Sequence, residues 1–215
     1  MKRTYPFLVG ITGGIGSGKS TVCRFLSEMG CALFEADSVA KELQLHDSEV
    51  IEGIKSLFGA EVYSREAFGQ LSLDRRAIAA VAFSSPEKLK TLNRLIHPKV
   101  YDEFCKAISD AEKKGIKILV KEAAILFESG GQNDLDVVVV VATDLSQRIE
   151  RAVKKGMGTR EEIMQRIAMQ WPQEKLIEKA NYVILNNGSK QNLKEEAEKL
   201  FEWLLVAASS TCNCL

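Results

Sequence analysis

The sequence predicts an α/β fold in which helices cover both faces of a five-stranded parallel sheet, giving three layers. Two observations support this prediction. Apolar strand patterns alternate with amphipathic helix patterns along the 215 residues. Residues 137–141 are all valine, which is typical of a strand buried on both faces of a parallel sheet. The predicted strands are residues 7–11, 31–34, 116–120, 136–141 and 182–185.

The first strand leads into a glycine-rich loop, Gly13-Gly14-Ile15-Gly16-Ser17-Gly18-Lys19-Ser20. An amphipathic helix pattern follows, with Val22, Leu26 and Met29 on one face. Strand, glycine-rich loop and helix form the context of a phosphate-binding loop, whose backbone N–H groups and helix dipole attract anions. We therefore predict that a nucleoside triphosphate binds at Gly14, Gly16, Ser17, Gly18, Lys19, Ser20 and Thr21.

Two side chains of this loop are expected to contribute directly to the chemistry. The Lys19 ammonium can reach the β- and γ-phosphates, and the Ser20 hydroxyl can ligate Mg²⁺. The chain lacks the Asn-Lys-x-Asp and Asp-x-x-Gly sequences with which GTPases read guanine and sense the γ-phosphate. This absence argues against a GTPase switch.

Asp37 comes just after the second predicted strand. Ligands of parallel sheets bind at the edge where the strands have their carboxyl ends, so this carboxylate is a candidate site residue. Alternatively, Asp37 or Ser38 caps the helix that follows. From the residues alone, capping is the favoured interpretation.

Residues 39–113 are predicted to be mostly helical, without a strong strand pattern. One helix opens at residues 73–78 and another at residues 86–89. We expect the second helix to stop at His97, because Pro98 disfavours helix in the residue before it. The block is too long for a plain crossover, which suggests an inserted helical subdomain for a second substrate.

Charged residues later in the chain allow two interpretations each. Glu122 follows the third predicted strand and is either a ligand-edge carboxylate or a helix-start charge. Arg148, Arg151 and Lys155 are spaced by three and four residues, so one helical face could present all three. Such a face is usually solvated surface. Here it follows a buried strand in a predicted triphosphate-binding protein, which favours a role at the phosphates.

Composition limits the partners. The chain has 29 basic and 29 acidic residues, and this balance argues against nucleic-acid or membrane binding.

The cysteines show no metal-binding spacing, and we expect reduced thiols in the cytoplasm. The last four residues formally fit a prenylation box, but a frayed tail is expected because neither aliphatic middle positions nor a polybasic segment is present. The cysteines are Cys23, Cys31, Cys105, Cys212 and Cys214.

In order along the chain, these features resemble the dephospho-coenzyme A kinase family. The resemblance implies a phosphate-loop kinase that uses ATP and Mg²⁺ to phosphorylate the ribose 3′-hydroxyl of dephospho-CoA, the last step of coenzyme A biosynthesis. It is expected to act as a monomer or weak homo-oligomer. The matching segments are residues 10–20, 36–37, 73–81 with Phe83, 95–98, 126–128, 148–151, 166–167 with Gln170, and 186–188.

The resemblance also implies roles for individual residues. It makes Asp37 the general base for the 3′-hydroxyl, against the capping interpretation, and gives Lys19 and Arg151 catalytic contacts to the ATP phosphates. Arg75 and His97 are candidates for the acceptor side, although His97 could equally be a helix-end residue. Lys155 stands where the family often has an arginine in its lid.

Within a single domain, three regions are expected. Residues 1–38, 114–145 and 177–208 form the nucleotide-binding core, residues 39–113 a helical acceptor subdomain, and residues 146–176 a lid. The alternatives are another small-molecule kinase of the same architecture, for nucleosides, shikimate or gluconate, or a non-catalytic ATP-binding module.

Overall fold

The computed structural model describes residues 6–66 and 69–211. The C-terminal residues 212–215, for which a frayed tail was expected, lie outside the described residues. The described residues form two compact units. The first unit comprises the chain up to Glu35 and from Ala107 onwards, and the second comprises Ala36–Lys106.

The first unit is built on a five-stranded sheet with the order β2-β5-β1-β6-β7. All neighbouring strands are parallel. The predicted α/β fold with a five-stranded parallel sheet is thus confirmed. The strands are β1 (Phe7–Thr12), β2 (Ala32–Glu35), β5 (Ile118–Glu122), β6 (Val137–Ala142) and β7 (Tyr182–Leu185).

Helices pack against this sheet, and strands and helices both contribute to its core. Val9, Ile11 and Val139 in the central strands are fully buried, as expected for strands covered on both faces. The same cluster includes Leu26 and Leu200 from two of the helices. The helices of this unit are α1 (Lys19–Glu28), α6 (Leu145–Lys154), α7 (Arg160–Ala168), α8 (Gln173–Lys179) and α9 (Lys190–Thr211).

The second unit is mainly helical, as predicted, but it also contains a short antiparallel pair of strands. In this pair Tyr63 lies opposite Leu73, and Arg65 lies opposite Leu71. Three-residue strands are too short for a period-two pattern to be recognised in the sequence. The elements are α2 (Ala36–His46), α3 (Ser48–Phe58), a 3₁₀ turn (Ala60–Val62), β3 (Tyr63–Arg65), β4 (Leu71–Leu73), α4 (Arg75–Ser84) and α5 (Pro86–Lys113), whose residues from Ala107 onwards belong to the first unit.

The expectation that a helix stops at His97 is wrong, because α5 continues through Pro98 to Lys113. A proline inside a helix costs about 3 kcal/mol, since it removes a hydrogen bond and crowds the preceding turn. Leu92, Ile96 and Val100 are spaced by four residues and are all buried. Burying each such side chain contributes about 1.5–3 kcal/mol, so this apolar stripe outweighs the local cost of the proline.

Within residues 6–66 and 69–211, none of the helices combines the length and apolar character that crossing a membrane would need.

Two neighbouring leucines of α9 provide a matched test of the core. Leu204 is fully buried, whereas Leu205 is 38% exposed. We expect Leu204→Ala to lower the free energy of unfolding by about 2–5 kcal/mol, because it leaves a cavity. Leu205→Ala should change it by about 0.5 kcal/mol. Urea unfolding of both variants measures the difference, and equal losses would contradict the described packing of α9.

Candidate active site

The loop between β1 and α1 has a backbone that only glycine can supply at several positions. Gly13, Gly16 and Gly18 have φ values of 146°, 77° and 101°. A Cβ on Gly13 would lie 2.3 Å from the carbonyl oxygen of Val141, and one on Gly18 would lie 2.3 Å from Nδ2 of Asn186. Gly18 immediately precedes the first residue of α1, Lys19. The predicted sequence of strand, loop and helix is therefore present.

Lys19 is buried, and its ammonium group lies inside the curve of the loop. Its Nζ donates hydrogen bonds to the carbonyl oxygens of Gly13 at 2.9 Å and Gly14 at 3.3 Å. This places a positive charge beside the N-terminus of α1, whose dipole also favours anions.

Ser20 contacts a carboxylate from the neighbouring strand. Its hydroxyl donates a hydrogen bond of 2.9 Å to Oε1 of Glu122, the last residue of β5. In the sheet register Glu122 lies opposite Glu35, the last residue of β2. Of the two interpretations of Glu122, the ligand-edge carboxylate therefore fits the structure, and the helix-start charge does not.

Cys23 is packed against the same carboxylate. Burial raises the pKa of the Cys23 thiol far above its ordinary value, and the nearby charge and hydrogen bond of Glu122 act in the same direction. The charge of Lys19 acts against them. Cys23 is therefore a protonated thiol at neutral pH.

Arg151 is connected to the glycine-rich loop through Asn186. Its guanidinium donates hydrogen bonds of 2.9 Å to the carbonyl oxygen of Asn186 and to Oε1 of Gln147. The Nδ2 group of Asn186 in turn donates to the carbonyl oxygen of Ser17 at 2.7 Å. The Thr143 hydroxyl lies 3.0 Å from that same Ser17 oxygen. These contacts place a half-buried arginine next to the residues that support the loop.

The three basic residues that were expected to share one helical face have different surroundings. Arg148 is buried, and its Nε donates to the carbonyl oxygen of Ile15 at 3.1 Å. Burial lowers the pKa of the Arg148 guanidinium, which the charge of Glu174 partly opposes. Arg151 is half-buried, and Lys155 is exposed at the C-terminal end of α6.

The remaining candidates lie in the second unit. Asp37 is exposed in the first turn of α2, which begins at Ala36, so neither Asp37 nor Ser38 occupies the capping position before the helix. Arg75 is the first residue of α4, after Asp74, whose carboxylate accepts hydrogen bonds from the N–H groups of Arg76 and Ala77. His97 lies within α5, so the interpretation as a helix-end residue is wrong.

A family model described as dephospho-CoA kinase (CoaE) matches residues 7–192. The chain belongs to the dephospho-CoA kinase family. The resemblance seen in the sequence motifs is thereby confirmed. Among curated relatives, a dephospho-CoA kinase from Chlorobium luteolum is 58% identical over 214 residues, which is 100% of this chain and 98% of that protein.

Two solved structures are similar to this chain over most of its length. A dephospho-CoA kinase from Campylobacter jejuni is 25% identical, with a TM-score of 0.65, and the match covers 91% of this chain and 95% of that one. A crystal structure of a Thermus thermophilus protein is 32% identical, with a TM-score of 0.77 over 93% of this chain and 98% of that one.

Several contacts around the loop were not predicted from the sequence of this dephospho-CoA kinase family member, although Arg148 and Glu122 had been candidates for a role near the ligand. The hydrogen bond of Thr143 to the loop could not be predicted, because a threonine after a strand does not indicate any particular contact. Arg148, Gln170 and Asn186 fell within the family-matching segments, but only the folded structure reveals their contacts with the loop. Glu122 was identified as a candidate, whereas its hydrogen bond to Ser20 was not predicted.

Proposed function

We propose that this protein transfers the γ-phosphoryl group of ATP to the ribose 3′-hydroxyl of dephospho-CoA, giving coenzyme A and ADP. This is the last step of coenzyme A biosynthesis. The family match over residues 7–192 carries the assignment. The glycine-rich loop with the buried Lys19 supports it, since a donor nucleotide needs such a site.

The donor half of the reaction belongs to the loop. Backbone N–H groups from Gly14 to Thr21 and the Lys19 ammonium would hold the β- and γ-phosphates. To do so, the Lys19 ammonium would exchange its contacts with the Gly13 and Gly14 carbonyl oxygens for phosphate oxygens. Such positioning and charge neutralisation supply most of the catalysis in phosphoryl transfer, because the transition state needs little covalent help.

The oxygen groups of Ser20 in α1 and of Glu122 at the end of β5 suit Mg²⁺. The ion prefers oxygen ligands and usually keeps several waters, and Ser20 and Glu122 present a hydroxyl and a carboxylate 2.9 Å apart. Ser20 would ligate the ion, and Glu122 would hold its water shell. When bound, Mg²⁺ supplies positive charge to the phosphates. The residues present therefore fit the metal that the family implies.

Asp37 would serve the acceptor half. Its carboxylate would accept a hydrogen bond from the 3′-hydroxyl and take its proton while the new P–O bond forms and the bond to the β–γ bridging oxygen breaks. Its exposed position in the first turn of α2 leaves the carboxylate available to a substrate. Arg75 and His97, also from the second unit, are proposed to contact dephospho-CoA.

Arg151 would neutralise charge on the transferring phosphoryl group. Its bonds to Asn186 and Gln147 hold the guanidinium beside the residues that support the loop. A change of side-chain rotamer would turn the guanidinium N–H groups toward phosphate oxygens. A planar guanidinium binds phosphate well, because it can donate two parallel hydrogen bonds.

The remaining assignments concern the two substrates, ATP and dephospho-CoA, and the setting in which the protein works. Both are small anionic nucleotides, and we propose that the protein works in the cytoplasm, without nucleic acid or membrane, as a monomer or weak homo-oligomer. Burial raises the pKa of the Cys31 thiol to about 12, so this side chain is a protonated thiol near neutral pH.

The activity is tested by incubating the purified protein with ATP, Mg²⁺ and dephospho-CoA. We expect a product heavier than dephospho-CoA by one phosphate, identified by mass spectrometry, and no transfer to adenosine, shikimate or gluconate. Transfer to one of those acceptors instead would favour a different small-molecule kinase. ATP binding without any transfer would favour a non-catalytic module.

The role of Asp37 is tested by Asp37→Asn, which keeps the size of the side chain and removes its basicity. We expect kcat to fall at least about 10²-fold, the low end for loss of a proton-transfer group, while the KM for ATP stays near the wild-type value. Glu42→Gln on the same helix α2 is the matched control and should retain full activity. A wild-type kcat for Asp37→Asn would exclude the assignment.

Arg151 is examined in the same assay. Arg151→Lys keeps the charge but cannot make a two-pronged contact, so we expect a smaller loss of kcat than for Arg151→Ala. Lys154→Met removes an exposed charge from the same helix and serves as the control. If both Arg151 variants matched this control, the proposed contact with the phosphoryl group would be wrong.

The Mg²⁺ assignment is tested by the metal concentration needed for half-maximal rate. We expect Ser20→Ala and Glu122→Gln each to raise it about 10-fold or more, the range usual for residues that ligate a metal or orient its shell. Ser27→Ala, an exposed serine of the same helix α1, is the control. An unchanged metal requirement for both variants would rule these residues out.

A further inference from the structure

The tip of the phosphate loop, Ile15, is held at three points by the region that follows β6. Its N–H donates a hydrogen bond of 3.0 Å to Oε1 of Gln170, and its carbonyl oxygen accepts one of 3.1 Å from Nε of Arg148. Its side chain packs against a small apolar cluster of α6 and α7 that contains Ile149 and Ile163. We call Ile15, Arg148 and Gln170 the Ile15 clamp.

Arg148 lies unusually close to the loop backbone. A Cβ added to Gly14 would lie 1.9 Å from Nη2 of Arg148, and one added to Gly16 would lie 2.1 Å from its carbonyl oxygen. Arg148 is only 6% exposed. Burying a guanidinium costs free energy unless the group is hydrogen-bonded, and Arg148 has such a bond to the carbonyl oxygen of Ile15. Its buried position over the loop therefore differs from that of a surface arginine that attracts anions from solvent.

Gln170 connects the N–H group of Ile15 to the segment that follows β5, the strand that ends at Glu122. Its Nε2 donates a hydrogen bond of 3.2 Å to the carbonyl oxygen of Ala124, two residues after the end of β5. One amide side chain thus contacts both the tip of the loop and the segment beside the proposed metal site. A glycine-rich loop has many backbone conformations, and these contacts restrict it to one of them.

We propose that Arg148 and Gln170 are positioning residues, which fix the peptide groups on either side of Ile15 so that the loop binds the phosphates of ATP. The proposal rests on the function assigned above. Neither residue needs to contact ATP, because each acts through the orientation of the loop backbone. Losing either should therefore weaken binding of the donor nucleotide and spare the acceptor.

The first test needs no nucleotide. Amide hydrogen exchange of the peptide that contains Ile15 is compared in the wild type, Gln170→Ala, Gln170→Glu, Arg148→Ala and the control Lys154→Met. We expect exchange to be about 3- to 10-fold faster in Gln170→Ala, the range for losing one hydrogen bond, and near wild type in the control. Gln170→Glu keeps an acceptor for the Ile15 N–H and should restore much of the protection.

The second test separates positioning from general stability. ATP affinity is measured by calorimetry, and the KM values for ATP and dephospho-CoA are measured in the transfer assay. We expect Gln170→Ala and Arg148→Ala each to raise the Kd and the KM for ATP about 3- to 10-fold, with an unchanged KM for dephospho-CoA. Equal losses for both substrates together with a lower melting temperature would indicate a merely structural role and overturn the proposal.

A double variant tests the contact itself. Gly14→Ala should weaken ATP binding because its Cβ overlaps the Arg148 guanidinium. In an Arg148→Ala background that overlap is gone, so the additional effect of Gly14→Ala should be clearly smaller. Strictly additive effects, or wild-type exchange at Ile15 in every variant, would overturn the clamp. Failure of the wild type to bind ATP would instead refute the assigned function, and the exchange data would still decide on the clamp.

Discussion

Close packing of three separate elements around the glycine-rich loop is the constraint on which the rest of the structure depends. Positions where a Cβ would stand are occupied by the Val141 carbonyl of β6 at Gly13, by the Arg148 carbonyl of α6 at Gly16, and by Asn186 at Gly18. The conformation of the loop therefore depends on contacts with these distant residues as much as on its own glycines. Its partners come from a part of the chain more than a hundred residues away, so binding of the donor depends on the whole first unit.

The parts of the fold that local physics determines could be predicted from the sequence. The valine run of β6 and the apolar stretch before the glycines form strands because a parallel sheet buries both faces of each strand. The glycine pattern predicted the loop, because positive φ values and close contacts need residues without a Cβ. The family resemblance, confirmed by the comparisons, identified the acceptor, which the loop alone could not.

The features that escaped prediction depend on tertiary contacts. Pro98 ended the predicted helix because the local penalty was visible and the buried stripe that outweighs it was not. Arg148 and Arg151 looked equivalent in the sequence, yet one is buried over the loop and the other is bonded to Asn186. Their difference arises because Arg148 meets Ile15 in the loop after β1, whereas Arg151 meets Asn186 after β7, and no residue spacing encodes these contacts. The roles of Asp37, Arg75 and His97 stay predictions.

The order of the strands also has a consequence during synthesis. β1 pairs with β5 and β6, and Phe7 lies opposite Ile118, which is 111 positions later in the chain. β1 is apolar and lacks its partner strand in the sheet until β5 has also been synthesised. Pairings between such distant segments form slowly, and unpaired apolar strands are prone to aggregate. Phe7–Thr12 therefore stays unpaired with β5 until that strand is made, whereas the unit Ala36–Lys106 consists of contiguous sequence and can collapse earlier.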